Sequence, residues 1–123
     1  MRDTLDFVCA DIGGTHARFS LASIARDGRI ELDTPETLAT RDYPDFEHAW
    51  GEFRRRKGGT LPRAAAFAVA APTSGDTIRF TNNPWTIHPA EVNRRCGLYD
   101  HVVVNDLEAI AHGVAYLATD PGT

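Results

Sequence analysis

The chain of 123 residues has the length and composition of one soluble globular domain. Apolar residues make up 42% of it and charged residues 24%, which are ordinary values for a folded protein. Its net charge of -4 disfavours nucleic acid as a partner, because phosphate backbones are bound by clustered Lys and Arg. We recognise no signal peptide, no membrane-spanning run and no zinc-ligand spacing. We therefore expect a cytoplasmic protein with no membrane partner and no disulfide framework.

Strand-like segments lie on both sides of a glycine turn at residues 11–15. Apolar residues 7–10 precede the turn, and after it Ala17, Phe19 and Leu21 alternate with polar residues, which is the period of a half-buried strand. The turn is therefore predicted to join two strands. The familiar phosphate loops instead lead from a strand into a helix and carry Gly-x-Gly-x-x-Gly or a Gly-Lys-Ser/Thr ending. The pattern disfavours those nucleotide-binding folds.

Downstream of the second strand, the sequence predicts a strand, a helix, a strand, a hairpin, a helix, a strand and a last helix. Their positions are a strand through Ile30 and Leu32, a helix from Pro44 to Gly58-Gly59, a buried strand over 64–71, a brief strand with Ile78 and Phe80, a helix from Pro89 to Gly97, a buried strand over 101–104 and a helix over 107–117. Helices that alternate with apolar strands indicate an α/β fold. We expect a mixed sheet with antiparallel leading strands and parallel central strands, flanked by helices.

The turn Asp11-Ile12-Gly13-Gly14-Thr15 has the residue types of a phosphate site. Two adjacent glycines allow positive φ and a close backbone approach, so that consecutive N–H groups face one anion. Thr15 adds a hydroxyl donor, and Asp11 can hold a hydrated Mg²⁺ that bridges phosphates, usually through water. The alternative is a plain hairpin turn, which the spacing alone slightly favours.

The pair Asn105-Asp106 is a second candidate site, between a buried strand and a helix. Ligands of α/β sheets gather at the carboxyl ends of the strands. A carboxylate there could accept the proton of an attacking alcohol, while Asn105 holds the alcohol in place. Asp106 is equally well explained as a helix N-cap, a role that stabilises its anion and weakens it as a base.

The segment Thr81-Asn82-Asn83-Pro84-Trp85 is a third candidate site. Sugars are bound by polar side chains beside an aromatic face, and Asn amides both donate and accept hydrogen bonds, as hydroxyl groups do. The alternative is an Asn-Asn-Pro turn with Trp85 in the core, which the segment alone favours.

Taken in order, these segments resemble the bacterial glucokinases, which have the actin/Hsp70/hexokinase ATPase fold, a ribonuclease H-like domain. The matching segments cover almost the whole chain: 11–18, 42–44, 70–72, 74–76, 81–85 and 104–109. Asp-x-Gly-Gly-Thr is shared by many sugar kinases, whereas Thr-Asn-x-x-Trp followed by the Asn-Asp pair is more specific. His16 departs from the family, which commonly has Asn there, but a neutral imidazole can also form hydrogen bonds.

The resemblance implies ATP-dependent phosphorylation of glucose to glucose 6-phosphate, the first step of glycolysis, with Mg²⁺. The implied ATP contacts are Ala10, Asp11, Ile12, Gly13, Gly14 and Thr15, with Asp11 as the water-mediated Mg²⁺ contact. The implied glucose contacts are Asn82, Asn105 and Asp106, with Asp106 as the general base.

The resemblance also implies that residues 1–123 are the N-terminal small domain of a two-domain glucokinase. The chain ends about a third of the way through a typical member, so the C-terminal large domain, with the other half of the active-site cleft, is expected to be missing. We expect this chain alone to be inactive. A homodimer is one expected assembly of the full-length protein. Two alternatives stay open: a sugar-sensing or regulatory module of the same fold without turnover, and a kinase for another hexose.

Overall fold

The structure is a computed structural model that describes residues 4–71, 75–80, 83–105 and 110. In these ranges the chain forms eight strands, two α-helices and one 3₁₀ turn. In chain order they are β1 (Thr4–Ile12), β2 (His16–Ala25), β3 (Ile30–Leu32), β4 (Glu36–Ala39), the 3₁₀ turn (Thr40–Asp42), α1 (Phe46–Arg56), β5 (Ala64–Val69), β6 (Ile78–Arg79), β7 (Thr86–Ile87), α2 (Pro89–Cys96) and β8 (Asp100–Val104). No helix in these ranges is long and apolar enough to cross a lipid bilayer.

The main sheet is mixed, and its strand order is β3-β2-β1-β5-β8, with β4 also paired to β2. β1 is antiparallel to β2 and parallel to β5, and β5 is parallel to β8. This arrangement confirms the predicted α/β class, with antiparallel leading strands and parallel central strands. Its consequence for function is that the carboxyl ends of β1, β5 and β8 lie at one edge of the sheet.

Both faces of the central strands β1 and β5 are buried. Side chains alternate along β1, so Val8, Ala10 and Ile12 pack on the face covered by α1 and α2, while Phe7 and Cys9 pack on the opposite face. All six residues of β5 are buried, which confirms the prediction of a strand covered on both faces, although β5 ends at Val69 rather than at residue 71. The strand predicted to be buried over 101–104 is β8, but its five residues are only half-buried. The predicted helix over 107–117 lies outside the described residues except for Ile110, which is buried on the opposite face.

The structure differs from the prediction in three places. β4 was not predicted, because only Leu38 of its four residues is buried and the segment has no clear alternation. Helix α1 begins at Phe46 rather than at Pro44, since the Asp45 side chain accepts the His48 backbone N–H at 2.8 Å and so caps the helix. The predicted brief strand is β6, and it pairs with β7, which was not predicted.

Replacing a glycine by alanine is expected to have opposite effects on stability at the end of α2 and inside α1. Gly97 follows the last residue of α2 and has a φ of +70°. We expect Gly97→Ala to lower the free energy of unfolding by about 1 kcal/mol, because a side chain is strained in this left-handed conformation. Gly51 is an exposed residue inside α1 without positive φ, so Gly51→Ala is expected to gain about 0.5–1 kcal/mol. A Cβ at either position has open space around it, so packing does not decide the result. Urea unfolding followed by circular dichroism measures both; two shifts of the same sign would contradict the backbone argument.

Candidate active site

The polar residues of the candidate site gather at the edge where the parallel strands end. Asp11, Ala68 and Val104 are register partners across β1, β5 and β8. Since neighbouring strands are about 4.8 Å apart, the backbones of Asp11 and Val104 are roughly 10 Å apart. Asn105 follows Val104 directly and is exposed. The glycine turn and Asn105 therefore lie at the same edge of the sheet, as predicted for strand ends of an α/β fold.

The glycine turn has a different backbone conformation from the predicted one. Neither Gly13 nor Gly14 has a positive φ, so that expectation was wrong. The reason is that the turn closes the β1–β2 hairpin: the Gly13 N–H donates to the His16 carbonyl at 2.9 Å. The N–H groups of Gly14 and Thr15 have no acceptor among the described residues. Two adjacent backbone donors and the exposed Thr15 hydroxyl are thus available to an anion.

Thr40 holds the glycine turn from the side of β4. Its hydroxyl donates to the Gly14 carbonyl at 3.0 Å, and its backbone N–H donates to the Thr15 carbonyl at 3.0 Å. Thr40 is 3% exposed, so water does not compete for these bonds. The Gly14 carbonyl belongs to the same peptide group as the Thr15 N–H, so its bond to Thr40 also holds that free donor in orientation. Sequence reasoning missed Thr40, because it lies 26 residues from Gly14 in a segment without a strand pattern.

Asn83 connects the third candidate segment to the glycine turn. Its side-chain amide donates to the Gly13 carbonyl at 3.2 Å, and its side-chain oxygen accepts the Trp85 backbone N–H at 2.8 Å. Trp85 is 1% exposed, and its ring N–H donates to the Tyr43 carbonyl at 3.0 Å. Of the two interpretations of Trp85, the structure shows the core position rather than an aromatic face open to a ligand. The neighbouring Asn82 lies outside the described residues.

Asp11 has the surroundings of a carboxylate that holds a hydrated cation. It is half-buried on the face of the sheet opposite α1, and its side chain forms no ion pair or hydrogen bond with another described residue, although Arg18 is its register partner on β2. Burial, and then the negative charge of Asp11, raise the pKa of the Cys9 thiol to about 11. No group of three or more metal-ligating side chains occurs in the described ranges. A carboxylate without a side-chain partner among the described residues is compatible with Mg²⁺, which keeps most of its waters and binds through one or two carboxylates plus phosphates.

The remaining predicted residues divide into two groups. Ala10 and Ile12 are fully buried in the core, so only their backbones are available to a nucleotide, and the Ile12 carbonyl already accepts the Ala70 N–H at 3.0 Å. Asp106, the predicted general base, lies outside the described residues. The structure therefore brings together Asp11, Gly13, Gly14, Thr15 and Asn105.

Comparison with known proteins identifies the family. The model of the glucokinase family matches residues 8–121. The glucokinase of Zymomonas mobilis subsp. mobilis is 41% identical over 113 residues, which are 92% of this chain and 35% of that protein. The glucokinase of Paramagnetospirillum magneticum is 42% identical over 109 residues, 88% of this chain and 33% of that protein. The chain thus spans about a third of the length of the curated relatives it matches.

Solved structures agree with this assignment. A glucokinase from an Antarctic psychrotroph has a TM-score of 0.75 and 25% identity over 89% of this chain, which is 34% of that chain. The glucokinase of Balamuthia mandrillaris shares the fold, with a TM-score of 0.59 and 21% identity over 95% of this chain and 34% of that one. Since the family match extends over nearly all of the described sheet and both helices, the chain belongs to the glucokinase family.

Proposed function

We propose that this chain is the N-terminal small domain of a two-domain enzyme that phosphorylates glucose at its 6-hydroxyl with ATP. The observation that carries the proposal is the meeting of the glycine turn and the end of β8 at one sheet edge, with Asn83 bonded to the turn. Phosphate donors and sugar-binding side chains must be close neighbours for phosphoryl transfer, which depends mainly on positioning and charge neutralisation. Relatives named glucokinase at up to 42% identity support the same reaction.

Each residue of the proposed site has one role. Asp106 accepts the proton of the attacking sugar hydroxyl, a contribution of roughly 10²–10⁴-fold in rate for a positioned base. Asn105 and Asn82 orient glucose. The free N–H groups at residues 14 and 15 and the Thr15 hydroxyl bind phosphate oxygens. Asp11 would hold a Mg²⁺ ion through water, and that ion supplies positive charge to the triphosphate.

The proposal extends to the complete protein. The second domain would close the cleft over the sheet edge and provide the remaining nucleotide and sugar contacts. We propose a cytoplasmic location, where ATP is the phosphoryl donor. We also propose that the full-length protein is a homodimer, and sedimentation measures its molecular mass.

The reaction is tested by comparing the full-length protein with residues 1–123 alone. We expect the full-length protein to form glucose 6-phosphate from glucose and Mg-ATP, and the short chain to form none above a buffer blank. Calorimetry with glucose, mannose and N-acetylglucosamine tests the substrate in parallel. Glucose binding by the full-length protein without turnover would identify a sensor instead, and faster turnover of another hexose would correct the substrate.

A further inference from the structure

A cleft beside the glycine turn has not been assigned a role. Its volume is about 370 Å³, and its lining includes Thr15, His16, Thr40, Arg41 and Pro84. It lies beside β4 and the 3₁₀ turn, and two of its lining residues, His16 and Ala39, are register partners on β2 and β4. The exposed His16 imidazole is 3.0 Å from the Thr15 hydroxyl. The cleft therefore shares the hydroxyl of the phosphate turn but has its own polar side chains.

Arg41 is the charged residue of this cleft, and its backbone is fixed close to the turn. The preceding residue, Thr40, forms two hydrogen bonds to the glycine turn, at 3.0 Å each. Arg41 is exposed, and within the described ranges its guanidinium forms no ion pair or hydrogen bond, even with the neighbouring Asp42. The arginines of α1 and α2 behave differently: Arg55 and Arg56 pair with Glu52, and Arg94 and Arg95 pair with Glu91.

An unpaired guanidinium beside free backbone donors matches the chemistry of a phosphate group. A phosphate has several acceptor oxygens in reach of one another, and arginine donates to two of them at once. The Gly14 and Thr15 N–H groups have no acceptor among the described residues, so an anion at the turn would have donors on two sides. We propose that Arg41 binds a phosphate group in this cleft, carried either by the nucleotide or by the phosphorylated sugar. This inference rests on the proposed function and adds a specific phosphate-binding residue to it.

The test measures the affinity of the full-length protein for three ligands by calorimetry: a nonhydrolysable ATP analogue with Mg²⁺, glucose 6-phosphate, and glucose. We expect Arg41→Ala to raise the dissociation constant of one phosphate-bearing ligand roughly tenfold and to leave that of glucose unchanged. The matched control is Arg29→Ala, which removes the same charge at the far end of β2, from an exposed residue paired with Asp27. Arg41→Lys keeps the positive charge but not the paired donors of the guanidinium, so its loss of affinity for the phosphate ligand should be smaller than that of Arg41→Ala. For both variants this loss of affinity should become smaller as salt is added.

The outcomes separate the sources and the two proposals. Weaker binding of the ATP analogue assigns Arg41 to the nucleotide, and weaker binding of glucose 6-phosphate assigns it to the product. Phosphate-ligand affinities equal to those of Arg29→Ala would overturn the inference, as would an equal loss for glucose. Arg41→Gln replaces the alanine variant if that variant does not fold. Absence of turnover in the wild type would refute the proposed function without changing the affinity comparison.

Discussion

Replacing Asp106 by Asn in the full-length protein is expected to lower kcat for glucose phosphorylation by about 10³-fold. The amide keeps the shape of the carboxyl group and can still hydrogen bond to a sugar hydroxyl, but it cannot accept a proton at neutral pH. We therefore expect the KM for glucose to change little while kcat falls. Steady-state kinetics at saturating Mg-ATP measure both values.

The same substitution separates the two explanations of Asp106. Asn is as good a helix N-cap as Asp, so a residue that only caps the helix predicted over 107–117 would leave kcat and stability nearly unchanged. Asp100→Asn is the matched control, because it makes the same chemical change at the opposite end of β8. A kcat within a few-fold of wild type in both variants would show that Asp106 is a cap and that the base lies elsewhere.

Local patterns predicted most of the fold. The alternation after the glycine turn predicted β2, and the apolar run predicted β5, because those patterns record which faces of a strand are buried. The apolar run over 101–104 predicted the position of β8 but not its burial, since all five of its residues are half-buried. β4 and β7 carry weaker patterns, at four and two residues, and they form because β2 and β6 offer unpaired edges. Strands of this kind depend on a partner rather than on their own sequence.

The candidate site was predictable in its parts but not in its connections. Strand ends that meet at one edge follow from parallel topology, so the nearness of Asp11 and Asn105 could be anticipated. The supports of the turn could not, since Thr40 and Asn83 lie 26 and 70 residues away from the glycines they contact. The expectation of a positive φ at the glycines was wrong for a related reason. The hydrogen bond from the Gly13 N–H to the His16 carbonyl closes the β1–β2 hairpin and so determines the conformation of the turn.

Asn83 is therefore the residue whose loss should most disturb the turn itself. It is 6% exposed, and it pairs with the Trp85 N–H in a buried hydrogen bond and with the Gly13 carbonyl in a half-buried one. An unsatisfied buried group costs about 1–3 kcal/mol. Because the Gly13 carbonyl and the Gly14 N–H belong to one peptide group, its release also loosens that backbone donor.

We expect Asn83→Ala to lower the free energy of unfolding by about 1–4 kcal/mol, mostly from the buried Trp85 N–H and less from the half-buried Gly13 carbonyl. In the full-length protein, at a temperature where the variant is folded, we also expect a higher KM for ATP. Urea unfolding and steady-state kinetics measure the two effects. Asn93→Ala is the matched control, since it removes one half-buried hydrogen bond, 2.7 Å long, to His101 on β8, away from the turn. If the two variants lost the same stability and both kept the wild-type KM for ATP, Asn83 would be an ordinary core contact. Its hydrogen bond between the segment 81–85 and the glycine turn would then not contribute to ATP binding.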